Sequence, residues 1–295
     1  MKTRIITGLA YLCLAIATLF LLQTPLLQCI IIAFSVIAAY ELCHAVKMKN
    51  KAMIFLSMAV AALVPPLVEY WPLLHERLRV PAYPLLLGYF VLLLVLMLSQ
   101  FEKTKFSDVL FALFASLGVP GAMGTIVMVR DDALTRTGLS DPNLAVWLVF
   151  FVLCSAWMAD AFAYFVGRKF GKHKLAPKVS PKKTVEGAIG GVLGMALVNV
   201  GFALMFNELF LKHHRISLLA VALLSLALGA VSIVGDLSMS VLKRNYGVKD
   251  YGKFFPGHGG VLDRFDSILL VSPFFYALLQ LEQGLGLQLL YGVIA

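Results

Sequence analysis

The chain has 295 residues, 60% of them hydrophobic and only 14% charged, with 25 Lys and Arg against 16 Asp and Glu. An ordinary soluble domain carries roughly 25% charged residues, so this composition excludes a water-soluble globule and points to a protein of the bilayer. The four cysteines, Cys13, Cys29, Cys43 and Cys154, lie in or at the ends of apolar runs and lack the spacing of a zinc or redox motif.

Runs near or above the ~18 to 20 apolar residues needed to cross a hydrocarbon core must be helical, because a helix satisfies its own backbone there. The pattern predicts an all-α, polytopic integral membrane protein with nine spans, at 5–22, 26–43, 52–70, 83–98, 109–129, 144–166, 188–210, 216–234 and 268–285. Only Gln23, Thr24 and Pro25 divide the first pair. Pro120 and Gly121 interrupt the fifth span, where a kink or a re-entrant dip can form. The opening Met-Lys-Thr-Arg also fits a secretory signal, but the run that follows exceeds a signal core of ~7 to 15 residues, so a retained helix is expected.

With the N-terminus inside, nine spans put only Arg77, Arg79, Arg130, Arg136, Lys212 and Arg215 outside, and the other 19 of the 25 Lys and Arg inside. Cytoplasmic loops carry such an excess. The expected location is a bacterial-type inner membrane, with the N-terminus and both large polar loops, 167–187 and 238–267, in the cytoplasm. Polar chemistry is concentrated late in the chain. Residues 1–143 read as a helical scaffold and 144–295 as the catalytic half.

In the later loop, Asp236, Ser240 and Lys243 stand at i, i+4 and i+7, one face of a helix. A lysine there can simply snorkel to the interface, but an acid near membrane depth is costly and usually functional. Next come Pro256, Gly257, His258, Gly259 and Gly260, whose glycines let the backbone approach a ligand and whose free amides can cradle phosphate. Asp263 and Asp266 then occupy the first turn of the last span. Capping explains either alone, whereas two acids together with Asp236, amid cations, suit Mg²⁺ shared with substrate phosphates.

The earlier loop carries seven cations from Arg168 to Lys183, with Ser180, Thr184 and glycines 167, 171 and 187. Most of those lysines need only anionic headgroups. The stretch from Ser180 to Gly187 is more pointed: Pro181 shapes a turn, Lys182 and Lys183 offer charge, Thr184 can cap and Glu186 introduces the next span. Asp160, about two turns before the end of its span, also invites a functional reading. Acids for metal, cations and glycines for phosphate, and a bilayer setting suggest phosphoryl or nucleotidyl transfer to a lipid, where positioning and charge neutralisation do most of the catalysis.

The segment from Ser240 to Ser267 resembles the signature of CDP-diacylglycerol synthases, or phosphatidate cytidylyltransferases. Ser240, Lys243, Arg244, Lys249, Asp250, Pro256, His258, Gly259, Gly260, Asp263, Arg264 and Asp266 fill the gapped pattern without a departure. The residues from Asp160 to Lys172 and from Ser180 to Gly187 are similar to that family too. The resemblance implies transfer of CMP from CTP to phosphatidic acid, giving CDP-diacylglycerol and pyrophosphate, in phospholipid biosynthesis, with Mg²⁺, a possible second cation and a homodimer. It implies Asp236, Asp263 and Asp266 as metal-holding carboxylates, and Lys243 and His258 as further catalytic groups. Ser180, Lys182, Lys183, Thr184, Ser240, Arg244, Lys249, Gly259, Gly260 and Arg264 would face substrate. His258 need not be a base, since the phosphatidate oxygen is already an anion; it can equally donate a hydrogen bond.

A transporter would place its site near the midplane on broken helices, often in repeats, and no repeat occurs. A CDP-alcohol phosphotransferase would continue from its second aspartate with Gly-x-x-Ala-Arg, where this chain has Ser-Ile-Leu after Asp266. A lipid-binding scaffold would need the loop cations but not the three acids. Nothing in the sequence calls for a nucleic acid.

Overall fold

A computed structural model of the chain describes residues 24–79, 81–136, 142–211, 214–257, 259–286 and 290–293. The predicted span 5–22 and His258 lie outside the described residues. Among those described, seven helical stretches are long and apolar enough to cross a membrane, and 268–284 is a shorter apolar helix. The chain is thus an all-α integral membrane protein. It divides into two compact units: residues 1–127 with 245–265, and residues 128–244 with 266–295. The scaffold boundary at 143 follows polar chemistry; these units follow packing, and they interleave along the chain.

The first unit begins with α1 (Leu26–Ala45), α2 (Lys51–Leu78), α3 (Ala82–Ser99) and α4 (Phe106–Leu113). Helix α1 ends in a Schellman turn: Lys47 takes a left-handed φ of 59°, its N–H reaches His44 O, and Met48 N–H reaches Cys43 O. Asn50 then starts α2 by accepting from Met53 N at 3.2 Å. Its amide donates to Leu96 O and Thr104 Oγ1, which ties the turn to the end of α3.

Helix α4 runs through a π-helical turn, Phe114–Gly118, into α5 (Val119–Arg136). Pro120 has no N–H to offer Ser116 O, and a local π turn absorbs that lost bond. The span is therefore one continuous crossing, Phe106–Leu134, rather than a dip. Ser116 Oγ donates instead to Ala112 O at 2.6 Å and accepts from Tyr89.

The second unit is centred on α6 (Pro142–Phe170) and α7 (Val185–Leu209), an antiparallel pair joined by the hairpin β1 (Lys174–Ala176) and β2 (Ser180–Thr184). Small residues let the pair approach, since without lipid between them dispersion is the main attraction. A Cβ at Gly191 would lie 2.6 Å from Ala159 O, and one at Gly187 2.7 Å from Ala163 O. A short strand β3 (His214–Ile216) precedes α8 (Leu218–Asn245). Asn199 binds Ser155 and Ser225, each at 3.0 Å, and so locks α6, α7 and α8 together. After a four-residue helix α9 (Leu262–Phe265), α10 (Ile268–Gly284) packs on α6 through Phe275 against Phe151. A final strand β4 (Tyr291–Val293) pairs with β3.

Candidate active site

In the second unit, the hairpin is built to hold one lysine inward. The turn lies at Pro177, Lys178 and Val179, not at Pro181, which sits within β2; a proline is tolerated there because the strand has a free edge. Glu186 anchors the hairpin by accepting from Lys172 N at 3.0 Å and His173 N at 3.2 Å. Thr184 caps α7 through Gly187 N at 3.1 Å, and Arg244 Nε donates to Val179 O at 3.1 Å. Successive residues of a strand point to opposite sides. Lys183 consequently turns to the helices while Lys182 is exposed.

The Lys183 ammonium binds Asp236 on α8 and lies 3.5 Å from Asp160 on α6. These acids stand at matching depths, Asp236 nine residues before the end of α8 and Asp160 ten before the end of α6. The backbone of α8 at Gly235 passes close to the turn after α9: a Cβ there would be 3.2 Å from Asp266 O. That approach brings Asp266 into the same group, with Lys243 Nζ 3.9 Å from its Oδ2. Ser240 and Lys243 are buried on the same helix.

The electrostatics follow from this crowding. Burial first, and the charge of Asp236 next, push the Asp266 carboxyl up to about 7, against the pull of Lys243. Burial alone would lower Lys183, but Asp160 and Asp236 outweigh it and hold the ammonium above its ordinary value. Among the described residues, no group of three or more His, Cys, Asp or Glu side chains is disposed to hold a metal ion. The chemistry of Asp236 and Asp266 nonetheless fits a hard cation: two neighbouring oxygen donors, one destabilised as an anion, gain from added positive charge.

In the first unit, residues 245–265 fold against α1. Phe34 meets Phe254, Phe255 and Phe265 edge-on, with centroids 6.5, 6.2 and 5.6 Å away. The glycine turn closes where Phe255 N donates to Gly259 O at 2.8 Å. Gly257 and Gly259 have φ of 79° and 90°, values a side chain would resist. Asp263 holds this loop from within, its Oδ2 accepting from Tyr251 N at 2.7 Å and Gly260 N at 3.0 Å. Lys249, Asp250 and Arg264 are exposed.

Two acids go beyond the predicted site. Asp160 belongs to the Lys183 group, as its depth in the span already suggested. Glu41, buried on α1, accepts from Val261 N at 3.1 Å and Leu262 N at 2.9 Å; the available signal was an acid near the end of an apolar run.

The sequence model of the Cytidylyltransferase family matches residues 2–282. The chain is similar to the phosphatidate cytidylyltransferase of Haemophilus influenzae, 40% identical over 188 residues, covering 62% of this chain and 63% of that protein. The Thermotoga maritima protein of that name is 43% identical over 133 residues, 45% of this chain and 49% of the relative. The match to these two relatives thus spans less than two thirds of their length. The one from Bacillus subtilis is 34% identical over 286 residues, 95% of this chain and 98% of the relative.

Proposed function

The chain belongs to the cytidylyltransferase family, and from that premise we propose that it is a phosphatidate cytidylyltransferase. It joins a phosphate oxygen of phosphatidic acid to the α-phosphorus of CTP while the bond from that phosphorus to the β-phosphate oxygen breaks. The products are CDP-diacylglycerol and pyrophosphate. The nucleophile is already an anion, so the barrier is set by neutralising phosphate charge rather than by removing a proton.

The observation that carries this reading is the mixed cluster of Lys183, Asp160, Asp236, Lys243 and Asp266, where two membrane helices near their ends. Lys183 neutralises Asp236 and can turn to the triphosphate as CTP arrives. Lys243 does the same beside Asp266. Asp236 and Asp266 would hold Mg²⁺, which when bound supplies positive charge to the phosphates. Ser240 offers a hydrogen bond to phosphate oxygens, whereas the Gly260 amide is taken by Asp263. In this reading the loops face the cytoplasm from an inner membrane, an orientation the Lys and Arg excess favours, and phosphatidic acid is drawn from that leaflet. The family resemblance adds a homodimer.

Purified protein in detergent with labelled CTP, phosphatidic acid and Mg²⁺ should release pyrophosphate and form a CDP-lipid. Tight binding of phosphatidic acid without turnover would sink the proposal.

A further inference from the structure

Glu41 is the least expected acid in the first unit. It sits on the membrane helix α1, is only 4% exposed, and spends both carboxylate oxygens on consecutive backbone N–H groups, Val261 and Leu262, 220 and 221 residues away in sequence. The loop is shaped around it. A Cβ on Gly252 or on Gly260 would run into the Glu41 carboxylate and displace it. The same peptide group neighbourhood includes Gly260 N, which is bound by Asp263.

We propose that Glu41 is a positioning residue for the reaction: it fixes the backbone from Gly260 to Leu262 and so aims the glycine turn and Asp263. This rests on the transferase reading above. A buried carboxylate in a membrane helix is expensive, and a packing contact would be made as well by an apolar side chain. A carboxylate gives each of the two N–H donors its own acceptor oxygen, and charge-assisted bonds are the stronger kind. Glu41 thus connects α1, otherwise a plain apolar span, to the turn that carries the signature.

The test is Glu41→Gln in the full chain. Gln presents one acceptor and one donor where two donors need acceptors, so amide exchange at Val261 and Leu262 should accelerate roughly tenfold. The kcat for CDP-lipid formation should fall about 100-fold, as a displaced catalytic group demands, with KM for CTP changing less than about threefold. Glu41→Asp keeps both acceptors and should recover part of the loss. Gly252→Ala keeps the carboxylate but drives a methyl into it, and should reproduce the loss. Leu42→Ala, a buried neighbour on α1, should lower Tm yet leave kcat per folded molecule and the two amides unchanged. Wild-type exchange and kcat in Glu41→Gln overturn the inference. So does activity that merely tracks the amount of folded protein across the Glu41 and Gly252 variants. A wild-type chain that never turns over CTP removes the transferase reading alone, because exchange reports the hold of Glu41 on the loop independently.

Discussion

Glu41 and Asp263, in the first unit, accept from backbone N–H groups, whereas Asp160, Asp236 and Asp266, in the second, face the ammonium groups of Lys183 and Lys243. A backbone amide cannot leave without unfolding its turn. A lysine head group on four rotatable carbons can swing away and return. The first arrangement therefore keeps a loop in shape, and the second keeps charge in reserve until a substrate with more negative charge arrives. Acids of the same type serve structure in one place and chemistry in another because of the mobility of what they bind.

The sharpest way to break this contrast is Asp236→Asn. If the second set does chemistry, turnover should drop by about 1,000-fold or more, some 4 kcal/mol of barrier, with Tm close to wild type; CDP-lipid formation and a thermal melt of the same sample decide it. Lys183→Met comes next. Removing one neutralising charge should cost about 100-fold in kcat/KM, measured over a CTP titration, without loss of folded protein. Asp263→Ala probes the other set: two N–H groups lose their charged acceptor, so stability should fall by about 2 to 3 kcal/mol, read from Tm, and activity should fall with the loosened loop. Should Asp236→Asn destabilise more than Asp263→Ala, the division of labour is wrong. Lys182→Ala has the smallest expected effect, less than about fivefold in kcat/KM, as for an exposed cation on the far side of the strand; a loss equal to that of Lys183→Met would show that both lysines reach the phosphates.

Much of this was legible in the residue order. The apolar runs mark the helices seen between Leu26 and Gly284, because a crossing segment has to be apolar and helical wherever it lies. Asp236, Ser240 and Lys243 share a face by spacing alone, and Thr184 does cap α7. Other features were not legible. Pro181 looked like a turn former but occupies a strand, since the hairpin closes earlier at residues 177–179. Pro120 looked like a break but is absorbed by a π turn. Lys182 and Lys183 looked equivalent, and strand alternation separates them. Glu41 was not singled out, since nothing in its local spacing points to residues 261 and 262.

Membrane residence, helical class and the family signature are properties of single stretches, set by hydrocarbon thickness, backbone hydrogen bonding and the spacing of a motif; residue order alone suffices for them. Which acid meets a lysine and which meets a backbone amide depends on how each helix is rotated and how closely it packs, down to one glycine at 235 or 252. Those contacts join residues tens to hundreds of positions apart, so they come into being only when the chain is folded.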